Sequence, residues 1–296
     1  MAACGGAATL IPATALGEMA EWFKAPVLKT GEGASPPWVR IPLSPPERHV
    51  SGPDNDAMQN AGVSSDQSRV AIAIEVAAFV ATALLGKYLL SLVSWRFAGP
   101  VSLLLTLVAL TIYLRARGIG WSQMGLAPLT GWRAKLLVLP QAGLALVAFG
   151  GVVALTTIVG PTLGLHFLTE VPAGVEERWG DVAGSLPRFL LWLLIVWTAA
   201  AFGEEMFFRG YLITRLRSVF SDGWLGVALA VVVPALIFGY GHFYYQGWRG
   251  AIVTGAIGLA FGTMFLIFKR NLWPMILLHG VIDTLTFTAI FMEWDD

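Results

Sequence analysis

Charged residues are scarce in this chain. Asp, Glu, Lys and Arg make up 13% of its 296 residues, about half the share usual in a soluble domain, so the chain is too poor in charge to cover an ordinary water-facing surface. Nineteen basic residues balance nineteen acidic ones, a balance that in so apolar a chain says nothing about nucleic acid, and no nucleic acid is expected as a partner. The single cysteine, Cys4, excludes an intrachain disulfide framework and a cysteine-based metal cluster. Only four histidines occur, none in a His-Glu-x-x-His run, so the common zinc-protease signature is missing. The apolar runs also lack the period-two alternation of a membrane barrel.

What is present is apolar: 56% hydrophobic residues and a mean hydropathy of +0.69. From Val70 onward the stretches 70–94, 97–115, 135–160, 186–213, 224–244, 248–268 and 272–292 are each close to the roughly 20 helical residues that cross a hydrocarbon core of about 30 Å. The expected fold is therefore all-α, a polytopic membrane helix bundle of about seven transmembrane helices spanning residues 66–296. Glycines 255, 258 and 262 suit close helix contact within it. Residues 1–65, with Ser35-Pro36-Pro37, Ser44-Pro45-Pro46 and scattered polar residues, are expected to be a disordered N-terminal extension. No basic residue precedes the mildly apolar Ala7–Leu16 run and Pro12 breaks it, which argues against a signal peptide. Met58 stands just ahead of the first apolar stretch, so an over-called start codon is the alternative account of residues 1–57.

Loop charges set an orientation. Arg115, Arg117, Arg133 and Lys135 flank the second connection, Arg215 and Arg217 the fourth, and Lys269 and Arg270 the sixth, which reads as cytoplasmic for these three. The third connection carries Glu170, Glu176, Glu177 and Asp181 against Arg178 and Arg188, and the chain ends in Glu293-Trp294-Asp295-Asp296. Both are expected outside, with the N-terminus cytoplasmic. The expected location is a bacterial plasma membrane, as a multi-pass protein, with the lipid bilayer as its surroundings.

Against this background Glu204-Glu205-Met206-Phe207-Phe208-Arg209 stands out, because it lies at the end of a spanning run. One ionisable side chain near a bilayer centre costs roughly 2.5–3.5 kcal/mol on insertion scales. Three within six residues need pairing, a wet cavity, or both. Glu205 and Arg209 are four apart and can pair on one helix face. Glu204 is rotated about 100° from Glu205 and lacks that partner, which leaves it able to face a cavity and accept a proton. Two of the four histidines lie in later apolar stretches: His242, four residues after Phe238, and His279, four before Asp283. Asp283 can hold the His279 imidazole in one tautomer or join it in contacting water or a metal. A carboxylate in a partly dry site is a candidate general base, and two imidazoles can stabilise an oxyanion or bind a metal. His49 and His166 lie outside the spans and receive no role.

Glu204-Glu205-x-x-x-Arg209, Phe238-x-x-x-His242 and His279-x-x-x-Asp283, in that order on successive apolar stretches, resemble the three motifs of the CPBP intramembrane protease family. That family includes the type II CAAX prenyl endopeptidases and bacteriocin-processing proteins. The motif-bearing core covers 185–292, and Gly118-Ile119-Gly120-Trp121-Ser122-Gln123-Met124-Gly125-Leu126 resembles a short upstream segment of bacterial members. The resemblance implies a CAAX-protease-like endopeptidase acting on a membrane-associated protein or peptide. In it Glu204 activates water, His242 is its catalytic partner, His279 and Asp283 bind the carbonyl or stabilise the tetrahedral intermediate, and Glu205 and Arg209 support the helix. A glutamate-type mechanism without cofactor is favoured, since no pair of candidate ligands shares the tight His-x-x-x-His spacing that would preform a metal site on one helix. The alternative is a metalloprotease holding one divalent metal such as zinc on Glu204, His242, His279 and Asp283. Two other classes compete: a transporter or proton relay, because buried Glu, His and Asp also line ion pathways, and a non-catalytic, immunity-type membrane binding protein.

The loop-charge alternation makes a direct prediction. On a Cys4→Ser background, cysteines introduced near Arg117, Arg217 and Arg270 should react with impermeant maleimide from the cytoplasmic side, and those near Glu176 and Asp296 from the other. Exterior labelling near Arg217 would require the helices around the site to be redrawn.

Overall fold

The computed structural model describes residues 55–170, 178, 179, 181–220 and 222–293, with side chains from Ser68 onward. Residues 1–54 of the expected extension lie outside the described residues. All described elements are helical. Helix α1 spans Asn55–Ala116, a single 3-10 turn Trp121–Met124, and α2 Gly131–Ala154, which continues through a wider π-wound turn, Leu155–Val159, into Gly160–Thr162. Helix α3, Leu186–Ile195, runs without interruption into a π-wound segment, Val196–Ile213, and on into α4, Thr214–Val219. Helices α5, Trp224–Ile267, and α6, Trp273–Met292, complete the chain.

Five of these rods are long and apolar enough to cross a membrane: Ser68–Ala116, Gly131–Thr162, Leu186–Val219, Trp224–Ile267 and Trp273–Met292. The count differs from the seven stretches expected because α1 and α5 each contain two of them. Each is interrupted at one non-helical residue, Ser94 (φ −152°, ψ 98°) in α1 and Gly247 (φ 57°, ψ −152°) in α5. The latter conformation is essentially confined to glycine. Beyond each break the chain packs back on itself. In α1, Ser102 Oγ donates to the Ala83 carbonyl at 2.8 Å. In α5 the two arms meet so closely that a Cβ on Gly239 would sit 2.2 Å from the Ala251 carbonyl oxygen, the small-residue contact that lets helix backbones approach in lipid.

The outer faces are apolar. Val93, Val147, Leu163 and Leu236 are among the most exposed large side chains, an arrangement that water would penalise and lipid accepts. Prolines 100, 140 and 234 lie inside helices, which is common in membrane spans because neighbouring groups satisfy the freed carbonyls. At the centre, Met206, Phe207, Tyr211 and Leu212 from the π-wound segment pack with Leu110, Leu114, Phe265 and Leu272. That segment touches α1, α5 and α6, so its register positions everything it carries.

A buried ion pair ties α1 to α4. Glu75 Oε1 accepts from Arg215 Nε at 2.8 Å and from the Tyr211 hydroxyl at 3.0 Å, while Oε2 accepts from Arg215 NH2 at 2.6 Å and the Tyr113 hydroxyl at 3.1 Å. Arg215, read from sequence as a charge flanking a loop, instead spends its guanidinium inside the protein. The 118–126 segment clamps the turn between α5 and α6: Leu272 N–H donates to the Gly125 carbonyl at 3.1 Å, Trp273 Nε1 to the Ala127 carbonyl at 2.8 Å, and Arg270 to the Gln123 carbonyl.

Breaking a buried pair by removing one partner costs about 3–5 kcal/mol, whereas replacing both by apolar groups is often neutral. Glu75→Leu should therefore lower the unfolding midpoint in detergent markedly, and adding Arg215→Met should restore most of the loss. A Glu75→Leu protein that unfolds at the wild-type temperature would show that the pair does not hold these helices together.

Candidate active site

The π-wound segment carries both glutamates. Wider winding of this kind is rare and recurs at functional sites. Glu205 is fully buried and Arg209 is 2% exposed, so both belong to the interior and Arg209 does not reach towards headgroups. Arg209 NH1 donates to Glu205 Oε1 at 3.0 Å. Its guanidinium lies 4.7 Å from the Phe238 ring centroid and 5.4 Å from that of Phe261, a cation–π arrangement that offsets part of the cost of a dry charge. Phe238 is thus more than core filling: it sits between Arg209 and His242, whose ring meets it edge-on at 4.7 Å.

The two histidines are held differently. His242 Nδ1 lies 2.9 Å from the Phe238 carbonyl. A carbonyl can only accept, so Nδ1 carries the hydrogen and Nε2 bears the lone pair of the neutral ring. His279 Nδ1 donates to Glu205 Oε1 at 2.9 Å, and its Nε2 lies 3.5 Å from Asp283 Oδ2 and 3.9 Å from Glu204 Oε2. Sequence spacing offered Asp283 as one holder of the His279 ring. The structure gives that role to Glu205 on another helix, because the i, i+4 neighbour approaches the other ring nitrogen at a longer distance. Glu205 therefore serves Arg209 and His279 with one oxygen.

Glu204, His242, His279 and Asp283 line one cavity of about 430 Å³, within the range of small-ligand sites, with Trp192, Phe208 and Ile282 among its apolar walls. His242 lies eighteen residues into the 224–244 stretch, a position that on chain length alone would set it outward of Glu204 and His279. The helix bearing Glu204 runs on to Val219 rather than ending near 213, and the first arm of α5 ends at Gly247, close beyond His242. These boundaries bring the four side chains to a common cavity. Among the described residues, no three His, Cys, Asp or Glu side chains form a group spaced to hold a metal ion. His166 is exposed, and His49 lies outside the described residues.

Three lining residues escaped the sequence reading: Lys87, Arg178 and Tyr245. Lys87 had a signal, since it and Glu75 are the only charged residues in the apolar stretch 70–94. Arg178 had none, being one basic residue in an acidic connection.

Helices apolar and long enough to cross a membrane here enclose acids and imidazoles around one cavity. Residues 186–285 match the family model described as Type II CAAX prenyl endopeptidase Rce1-like. This part of the chain is similar to the Rce1-like domain, which is consistent with the CPBP family that its motifs resemble. No curated protein and no solved structure matches the chain.

The shared carboxylate makes Arg209 a stability residue. Arg209→Ala leaves Glu205 buried without its guanidinium and should cost about 3–5 kcal/mol, read as a lower yield of monodisperse protein and a lower unfolding midpoint. Arg209→Lys keeps the charge but loses the planar stack on Phe238, and should fall between the two. Equal stability of all three proteins would remove the ion pair from the account of the fold.

Proposed function

We propose that this chain is an intramembrane endopeptidase that hydrolyses a peptide bond of a membrane-associated protein or peptide, with Glu204 as the base that activates water. The observation that carries the reading is the convergence of Glu204, His242, His279 and Asp283, from three helices, on one cavity, within the stretch that matches the Rce1-like family. Glu204 is the acid left over once Glu205 is committed to Arg209 and His279.

In this reading Glu204 takes a proton from water and the hydroxyl oxygen bonds to the scissile carbonyl carbon. Nε2 of His242, the ring's acceptor, orients the attacking water. His279, anchored through Nδ1, presents Nε2 beside Glu204 and Asp283, where in its protonated form it donates to the oxyanion. Collapse of the tetrahedral intermediate breaks the carbon–nitrogen bond, and the proton held by Glu204 passes to the leaving amine. Glu205 and Arg209 touch no reacting atom; they fix the ring of His279. A metal-free route is favoured because, among the described residues, the donors are not grouped as a ligand set. The proposed setting is a bacterial plasma membrane with the N-terminus cytoplasmic.

Glu204→Gln preserves the shape but removes the base. It should lower cleavage of a membrane-peptide library by about 10²–10⁴-fold, the usual scale of general acid–base catalysis, with the protein still folded in detergent. His242→Ala should act in the same direction. Active preparations should contain well under one equivalent of transition metal and keep turning over after prolonged chelation. Normal turnover by Glu204→Gln would refute the assignment of the base, and activity lost on chelation and restored by zinc would make the same residues a ligand set.

A further inference from the structure

The cavity has a second polar region that the hydrolytic reading leaves idle. Arg178 lines it while being only 7% exposed. Its guanidinium stacks 4.3 Å from the Tyr245 ring centroid and 4.7 Å from that of Trp179. Those contacts satisfy the faces of the guanidinium, but its hydrogen-bonding edge is not used: Nε is buried without a hydrogen-bond partner, and among the described residues no carboxylate lies at ion-pair distance from Arg178. Burial pulls the Arg178 pKa below its ordinary value, yet a guanidinium stays charged. The ammonium of Lys87 lies 5.8 Å from the same Tyr245 ring. It donates to the Gly241 carbonyl and has two further N–H groups to offer. Among the described acids the one nearest in sequence to Arg178, Asp181, is already taken by Arg96 at 2.6 Å and Arg188 at 2.9 Å, while Glu176 and Glu177 lie outside the described residues.

Two cations thus share one aromatic ring inside an apolar cavity; Glu204 is the cavity acid whose field reaches both, but among the described residues no carboxylate stands at ion-pair distance from either cation, and the acids of the cavity gather around His279. Like charges held this way in a poorly solvated space repel, unless an anion joins them. The arrangement is a built receptor for a planar, two-oxygen anion, which a guanidinium grips through two parallel bonds. We propose that Lys87 and Arg178, framed by Tyr245, form a subsite for a carboxylate on the peptide substrate and so select the substrate. The proposal rests on the endopeptidase reading for what enters the cavity. The Tyr245 ring is 5.7 Å from that of His242, and an extended peptide advances about 3.3 Å per residue. The recognised carboxylate therefore lies within about two residues of the scissile bond. An acidic side chain or the chain's terminal carboxylate offers the same chemistry.

The test uses the full chain in phosphatidylcholine nanodiscs and measures binding apart from cleavage. The probes are fluorescent apolar peptides in matched pairs, one pair differing only as Asp or Asn, the other only as a free acid or carboxamide at the C-terminus. In the wild-type protein one acid form should bind at least ten-fold tighter than its neutral twin, and which pair shows the preference identifies the source of the carboxylate. The preference should fall in Arg178→Gln and Lys87→Gln and vanish in the double variant. Glu204→Gln should keep the preference without cleaving, so a failure of the hydrolytic reading appears as absent cleavage by wild type while the binding preference persists. Equal binding of both twins in both pairs by wild-type protein would overturn the subsite and needs no variant to fold. So would a preference that survives the double variant. Anionic phosphatidylglycerol that binds through these two residues while neither peptide pair discriminates would assign the cations to a lipid phosphate instead.

Discussion

One carboxylate oxygen, Glu205 Oε1, holds the site in place. It accepts from Arg209 along its own helix and from His279 across to α6. In a dry interior a lone carboxylate would be prohibitively costly, so the guanidinium must be there before the imidazole can be oriented. The guanidinium in turn rests on Phe238, one turn before His242, and the Phe238 carbonyl orients that ring as well. A chain of contacts thus runs from His279 through Glu205, Arg209 and Phe238 to His242. Both histidines are oriented by groups other than Glu204 and Asp283, the supporting layer that precise sites require.

The remaining acids can then differ in role although they are close in sequence. Glu205 is neutralised and fixed, whereas Glu204, next in the chain, is turned towards the cavity with 22% of its side chain exposed. Neighbouring residues on a helix point in directions about 100° apart, and that rotation alone divides a structural acid from one free to exchange a proton. Asp283 adds a carboxylate on the far side of His279, so the imidazole meets acids at both nitrogens.

Much of this was legible in the sequence. Apolar run length gave the helical membrane class, and the i, i+4 spacing of Glu205 and Arg209 gave their ion pair. The motif residues, scattered from 204 to 283, do line a single cavity. Contacts between distant segments were not legible. Nothing in the spacing of Asp283 from His279 says that Glu205 will reach the ring first, and nothing in the 178–182 connection says that Arg178 will turn inward to stack on Tyr245. The number of separate rods was not legible either, because the tight breaks at Ser94 and Gly247 leave two stretches in one long helix with arms folded against each other rather than joined by distinct loops. Glu75 and Lys87 are a different case: lone charges in an apolar stretch are a visible signal, and both have partners in the fold.

The tie between Glu75 and Arg215 has a bearing on how the protein is made. The two residues are 140 apart in the chain. At a synthesis rate of about 5–20 residues per second, roughly 7–28 s pass between the emergence of the acid and of its partner. During that interval the acid of the first span lacks its guanidinium, and of its eventual partners Tyr113 comes first, with Tyr211 only four residues ahead of Arg215. The tie between the first helix and α4 can therefore close only once nearly three-quarters of the chain has been made, which sets it among the last contacts of the fold to form.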